Sequence, residues 1–357
     1  MMERVILLTG GGSAGHVTPN LALLPRLKED GWQIHYAGTA DGIERTLVCD
    51  IEGVQYHIIS SGKLRRYFSV KNFTDPFRVV AGFFQARALV KRIRPNIVFS
   101  KGGFVSVPVV LGAKGRAPIV IHESDYTPGL ANRIAIRYAD KVCVTFEDTL
   151  RHTRSKGIFT GTPVRGELYE GDAARGLELA GFDGKKPILL IMGGSLGAQA
   201  INGAVRASLP ELLTRFDVVH LCGRCKIDSE MRREGYRQFE YLGPELPDML
   251  ACADIALSRA GANAVFEFLA LKKPSVLVPL PRSASRGDQI LNASYFERKG
   301  YAVMLEQEKL TAQTLVETLD FVYENRRAFI DAMASDPLSD GTEQVLAVLY
   351  EVAGIYE

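Results

Sequence analysis

The chain has 357 residues, 46% of them hydrophobic and 24% charged, which is too long for one ordinary core, so two domains are expected. The net charge of +2 conceals an asymmetry, since residues 1–165 carry +10 and the remainder −8, and such halves are expected to meet different partners. The five cysteines are scattered and odd in number, which argues against a disulfide framework. No apolar run approaches the ~20 residues of a membrane-spanning helix. Val5-Ile6-Leu7-Leu8 is also too short for a signal-peptide core, so a cytoplasmic protein is expected.

In chain order, the first predicted strand is Val5 to Leu8, followed by glycines and by a helical pattern from Pro19 to Asp30 that Gly31 ends. Strands are expected at Gln33 to Ala37, Ile97 to Ser100, Pro118 to Ile121 and Lys141 to Thr145. The pattern restarts with Ile188 to Met192 and continues with Val218 to Leu221, Asp254 to Leu257 and Ser275 to Val278, and Thr342 to Ile355 has helical spacing. Short apolar runs alternating with helices indicate parallel sheets, so the fold class is α/β, two tandem Rossmann-like doubly wound domains. The expected boundaries are 1–162, 163–341 and a final helix over 342–357.

Gly10-Gly11-Gly12-Ser13-Ala14-Gly15-His16 directly follows the first strand and opens a helix. Glycines there let the backbone turn sharply, and the free N–H groups of a helix start suit a phosphate. The same residues fit G-x-G-x-x-G, but a dinucleotide site needs an acid at the end of the second strand, and Asp41 comes late. Gly193-Gly194-Ser195-Leu196-Gly197 repeats the strand–turn–helix arrangement, and Lys101-Gly102-Gly103-Phe104 forms a third turn. At this point a phosphate cradle, a dinucleotide site and a packing turn all remain open.

Six motifs narrow the choice: Gly10 to Pro19; His122-Glu123 with Pro128 to Arg133; Gly161 to Arg165; Gly193 to Ala198; Ser258 to Ala262 with Glu267; and Asp288-Gln289 with Asn292-Ala293. In this order and spacing the chain resembles the MurG family of bacterial peptidoglycan N-acetylglucosaminyltransferases. The resemblance implies a GT-B architecture with an interdomain cleft and an inverting transfer. UDP-N-acetylglucosamine would be held mainly by the second domain. The acceptor, undecaprenyl-diphosphate-linked N-acetylmuramyl-pentapeptide, would be approached by the first. On this basis His16 is the candidate base, or alternatively a ligand of the acceptor diphosphate. Gly12, Ser13, Ala14, Gly15 and Asp125 are expected on the acceptor side, Asp125 standing where the family usually has Asn. Arg165, Gly194, Ser195, Leu242, Leu246, Glu267, Asp288 and Gln289 are expected on the donor side, Asp288 departing from the family's usual Gln-Gln.

No D-x-D motif occurs, His122-Glu123 is not followed by the second His of a zincin, and Cys222-Gly223-Arg224-Cys225 has no companion pair. No obligatory metal or other cofactor is therefore expected. Between Lys63 and Arg94, nine basic residues and one acid are interleaved with phenylalanines. Arg65, Arg66, Phe68, Phe73, Phe77 and Arg78 are the expected contacts with an anionic membrane surface, at the cytoplasmic face as a peripheral protein. No nucleic-acid-binding motif accompanies the basic run, so that partner is not expected.

Overall fold

The computed structural model describes residues 4–62, 71–194 and 197–355, the side chains of 71–76 excepted. The chain divides into two compact units, one formed by Met1–Arg165 with Asp340–Glu357 and the other by Gly166–Ser339.

In the first unit, β1 (Arg4–Thr9), β2 (Trp32–Gly38), β3 (Val54–Ile58), β4 (Ile97–Ser100), β5 (Ile119–Glu123), β6 (Lys141–Val144) and β7 (Gly157–Phe159) form one sheet. The order is β3-β2-β1-β4-β5-β6-β7, with every pair parallel. The central strands are apolar on both faces because both are covered. Ile6 and Leu8 of β1 face a core completed by Leu23 and Leu27 of the helix Thr18–Glu29 and by Val345, Leu346 and Leu349 of the helix Thr342–Ala353. Leu7, between them, faces the opposite core, with Leu89 and Val90 of the helix Lys71–Ile93 and Val109 and Val110 of the helix Ser106–Ala113.

The helix Thr342–Ala353 thus belongs to the first unit although the second unit precedes it in the chain. Tyr350 stacks on Trp32 at 5.6 Å and hydrogen-bonds the Asp30 carboxylate. The units part after Arg165 and after Ser339, rather than at the expected 162 and 341. The displacement has a local cause. The Val164 N–H donates to Asp340 Oδ1 and Thr342 Oγ1, both at 3.3 Å, and the Gly341 N–H donates to the Thr162 carbonyl at 3.0 Å. These bonds tie the two connecting segments to each other within the first unit.

The second unit repeats the plan. β8 (Ile188–Met192), β9 (Asp217–Leu221), β10 (Tyr236–Phe239), β11 (Ile255–Ser258), β12 (Ser275–Leu277) and β13 (Ala302–Met304) form a parallel sheet in the order β10-β9-β8-β11-β12-β13. In each sheet the order reverses beside the first strand, between β1 and β4 and between β8 and β11. Open α/β sheets bind ligands at the carboxyl ends of the strands flanking such a switch point. The four strands missing from the sequence expectation are β3, β7, β10 and β13.

Candidate functional site

At the first switch point the turn after β1 and the turn after β4 interlock. Gly12 has φ +85°, and a Cβ there would lie 2.3 Å from the Phe104 ring. Gly103 has φ +81°, and a Cβ there would lie 2.0 Å from the Gly11 carbonyl oxygen. Glycine is required at both positions by conformation and by close approach together. The turn is held from below by Glu44, a fully buried carboxylate. Its oxygens accept from Gly12 N at 3.1 Å, Thr39 N at 3.0 Å and Thr39 Oγ1 at 2.5 Å. Tyr36 Oη donates to the Gly10 carbonyl at 2.7 Å.

Gly12, Ser13, Ala14 and Gly15 are exposed, and His16 is half-buried at the end of a short 3-10 turn, Ala14–His16. His16 Nδ1 lies 2.8 Å from Ser13 Oγ.

Beside this turn, at the end of β5, His122 and Glu123 are buried. Glu123 accepts from Asp125 N at 2.9 Å, Gly129 N at 3.1 Å and Asn132 Nδ2 at 2.9 Å. Burial, with the neighbouring Asp125 charge, pushes the Glu123 carboxyl up. Asp125 itself is partly exposed. Lys101 Nζ hydrogen-bonds His122 Nδ1 and lies 2.5 Å from Ser124 Oγ. His122 Nε2 lies 2.9 Å from the Gly161 carbonyl. That carbonyl can only accept, so the imidazole carries its proton on Nε2 and accepts from lysine at Nδ1. Burial and the adjacent ammonium hold His122 well below the ordinary histidine range.

At the second switch point, Gly194 has φ +83° with open space where a Cβ would stand, whereas a Cβ on Gly197 would meet the Cys222 carbonyl oxygen at 1.9 Å. The helix Gln199–Arg215 starts here, with Ala198 at its N-cap offering no side-chain oxygen to the first amides. Asn202 Nδ2 donates to the Cys222 carbonyl at 2.8 Å and Asn202 Oδ1 lies 3.0 Å from His220 Nε2, while Tyr236 Oη lies 2.9 Å from His220 Nδ1. Burial lowers His220 to about 3, so this network is neutral. The turn after β11 is tied by Asn292 Nδ2 to the Ala260 carbonyl at 3.1 Å and by Arg259, which donates to the Val278 and Pro279 carbonyls and to Gln307.

The remaining expected donor-side residues lie as follows. Gln289 Oε1 accepts from Leu280 N at 3.0 Å. The Asp288 carboxylate is 2.7 Å from Arg286. Glu267 is half-buried on the helix Ala262–Ala270, Leu242 and Leu246 are buried, and Arg165 is half-buried at the end of the first unit's long segment. Ser195 lies outside the described residues, as do Arg65, Arg66, Phe68 and the side chain of Phe73. Cys222 is a buried free thiol and Cys225 an exposed one. Sequence reasoning passed over Glu44 altogether, and treated Lys101 only as the first residue of a glycine turn.

A pair of parallel-sheet domains, each with a glycine turn at its switch point, defines the GT-B class of nucleotide-sugar enzymes. The chain belongs to glycosyltransferase family 28: the family's N-terminal domain matches residues 6–144 and its C-terminal domain residues 188–345. Among curated relatives, the UDP-N-acetylglucosamine–N-acetylmuramyl-(pentapeptide) pyrophosphoryl-undecaprenol N-acetylglucosamine transferase of Clostridium tetani is 50% identical, with 98% of each chain covered. Among solved structures, Acinetobacter baumannii MurG superposes with a TM-score of 0.74 at 24% identity over 98% of this chain and 99% of its own. The glycotransferase of kitacinnamycin gives 0.74 at 15% identity, with 98% and 99% covered. These two likenesses speak for the fold alone.

Proposed function

We propose that the chain moves N-acetylglucosamine from UDP-N-acetylglucosamine to the 4-hydroxyl of N-acetylmuramic acid in undecaprenyl-diphosphate-MurNAc-pentapeptide, with inversion, in peptidoglycan synthesis. The observation that carries this reading is half-identity along nearly the whole chain to a relative named for that transfer. In this reading the first unit takes the acceptor and the second the donor. His16 is the base. With Nδ1–H donating to Ser13 Oγ, the Nε2 lone pair takes the hydroxyl proton as the oxygen attacks the anomeric carbon and UDP departs with the bonding pair. The charge developing on UDP is met by the amides of the Gly193–Ala198 turn, by the uncapped start of the helix Gln199–Arg215 and by Arg165, without an obligatory metal. Glu267 suits the ribose diol, because a carboxylate accepts from two adjacent hydroxyls. Asp288 and Gln289 address the donor sugar, and Leu242 and Leu246 flank the uracil.

The acceptor's prenyl chain calls for an anionic membrane surface, and one helix supports that part of the reading. On the helix Lys71–Ile93, Phe77, Val80 and Phe84 recur at helical spacing and are 77%, 55% and 63% exposed, with Arg78 and Arg87 beside them. Among the described residues no helix is long and apolar enough to cross a membrane. An apolar stripe flanked by cations lies on the surface of a bilayer. In this reading the protein is a peripheral one, on the cytoplasmic face.

The deciding experiment is transfer of labelled N-acetylglucosamine to a lipid-linked muramyl-pentapeptide, run beside a panel of other UDP-hexoses. A labelled disaccharide product is expected, and absence of transfer overturns the reading. His16→Ala should lower kcat by about 10²–10⁴-fold, the usual contribution of a general base. A raised acceptor KM with intact kcat would instead make His16 a diphosphate ligand. Charge reversal of Arg78 and Arg87 should weaken binding to phosphatidylglycerol vesicles while sparing turnover of a short-chain acceptor. Each cation near such a surface contributes about 1 kcal/mol.

A further inference from the structure

The two glycine turns read alike in sequence, yet their backbone donors are occupied differently. A phosphate seat needs N–H groups turned towards the ligand at a helix start. Ahead of the helix Thr18–Glu29 those groups are used within the chain. His16 N donates to the Ser13 carbonyl at 3.1 Å, Val17 N to the Ala14 carbonyl at 2.9 Å, and Asn20 N and Leu21 N to the Val17 carbonyl at 2.9 and 3.2 Å. Pro19, in the first turn of the helix, has no N–H to give. Gly12 N points inward as well, to Glu44 Oε2 at 3.1 Å. In the second unit, by contrast, Ala198 leaves the start of the helix Gln199–Arg215 without a side-chain cap.

The first turn also rests on a charge whose sign is wrong for phosphate. Glu44 is fully buried, and a Cβ on Gly11 would lie 2.5 Å from its Cδ and 2.6 Å from its Oε2, so the carboxyl lies directly against the turn's backbone. Three groups meet its oxygens, Gly12 N, Thr39 N and Thr39 Oγ1; all donate, and none is a cation. That is the pattern of a charged carboxylate, which only accepts. Burial raises the Tyr36 and Tyr56 phenols, and the Glu44 charge acts on both in the same sense. Two negative charges a few ångströms apart repel more strongly in such a low-dielectric place than in water. Gly12, Ser13 and Ala14 of the same turn are exposed.

We propose that Glu44 is a positioning residue that closes the first unit's turn to the acceptor's diphosphate and fits it to the uncharged muramyl ring, whose 4-hydroxyl then meets His16. The inference rests on the reading that the first unit takes the acceptor. The 4-hydroxyl and the diphosphate-bearing carbon are at opposite ends of the pyranose. A ring seated on the turn by its hydroxyl end therefore carries its phosphates away from Glu44.

The test uses the full chain at saturating UDP-N-acetylglucosamine, with a lipid-linked N-acetylmuramyl-pentapeptide as the varied acceptor. Two competitors divide that acceptor between them: a phosphate-free octyl glycoside of N-acetylmuramyl-pentapeptide, and inorganic pyrophosphate. Glu44→Gln keeps the shape but offers one oxygen to three donors, so the hold on Gly12 weakens. The Ki of the glycoside should rise about tenfold, as for the loss of one hydrogen bond to a charged group. The donor KM should stay unchanged, and pyrophosphate should behave as it does on the wild type. A pyrophosphate Ki moved threefold or more, an unchanged glycoside Ki, or a donor KM rising with the glycoside Ki as in a general loosening would overturn the proposal. Should Glu44→Gln not fold, Thr39→Val asks the same question, because it removes the hydroxyl 2.5 Å from the carboxylate. A threefold rise in the glycoside Ki with pyrophosphate unmoved supports the assignment, and any other pattern refutes it. A wild-type chain that transfers nothing to the lipid-linked acceptor would fell the functional reading itself. A transferring wild type with which the glycoside does not compete would fell this inference only.

Discussion

The two units share a strand order and a glycine turn after the first strand, yet they support those turns with opposite chemistry. In the first unit the turn rests on ionisable groups out of water: Glu44 beneath Gly11 and Gly12, and Lys101 with His122 and Glu123 beside it. In the second, the turn after β8 is backed by neutral partners, with Asn202 bridging Cys222 and a neutral His220, while at the turn after β11 the Arg259 guanidinium donates to backbone carbonyls beside Asn292. A doubly wound sheet therefore dictates where a turn stands but leaves its backing free. Buried charge costs desolvation that only dense hydrogen bonding offsets, so the first unit should respond more sharply to the loss of one partner.

The largest effect expected from this contrast is that of Glu44→Ala, which strands the buried N–H and hydroxyl of Thr39 and the part-buried N–H of Gly12 at once. With hydrogen bonds to a charged group worth about 1.5–3 kcal/mol each and not fully additive, a loss of about 4 kcal/mol is expected. Trp32, the sole tryptophan, lies in the core of this unit, so urea unfolding followed by its fluorescence reads the affected unit selectively. Asn202→Ala should cost the second unit about 2 kcal/mol and leave the Trp32 transition where it was. Equal losses in the two units would break the contrast.

Glycine substitutions sharpen the same point. Gly103→Ala meets both a positive φ and a carbonyl 2.0 Å away, and should cost about 3 kcal/mol. Gly194→Ala meets a positive φ with open space, and should cost about 1 kcal/mol. Limited proteolysis at each turn, run on both variants, would separate them.

The smallest effect concerns acid. His35 Nδ1 and His57 Nε2 lie 2.8 Å apart on β2 and β3, and burial with the neighbouring His35 lowers His57 to about 4. A folded pKa below the unfolded value means that the contribution is complete above about pH 6.5 and is lost as pH falls towards 4. The Trp32 transition should therefore move to lower urea between pH 6.5 and 4.5, and His57→Gln should flatten that dependence.

The interior of each sheet was legible in the sequence and its margins were not, for one physical reason. Strands such as Ile97–Ser100 and Ile188–Met192 are covered on both faces and read as unbroken apolar runs. Val54–Ile58, Gly157–Phe159, Tyr236–Phe239 and Ala302–Met304 are the outermost strands of the two sheets, half-covered and short, and in the first of them Gln55 and His57 interrupt the apolar pattern. The glycine turns were legible because backbone geometry at Gly12 and Gly103 admits little else. Glu44 was not, since Gly42-Ile43-Glu44-Arg45 reads as the solvated start of a helix, and only the tertiary fold turns that carboxylate inward under the neighbouring strand. Lys101 was hidden in the same way: nothing in Ser100-Lys101-Gly102 distinguishes a buried ammonium from a surface one.

The helix Thr342–Ala353 supplies Val345, Leu346 and Leu349 to a core whose other members are translated before Gly166–Ser339 begins. Until the whole intervening unit has been made, the side of the sheet lined by Ile6 and Leu8 is covered by the helix Thr18–Glu29 but lacks these three side chains.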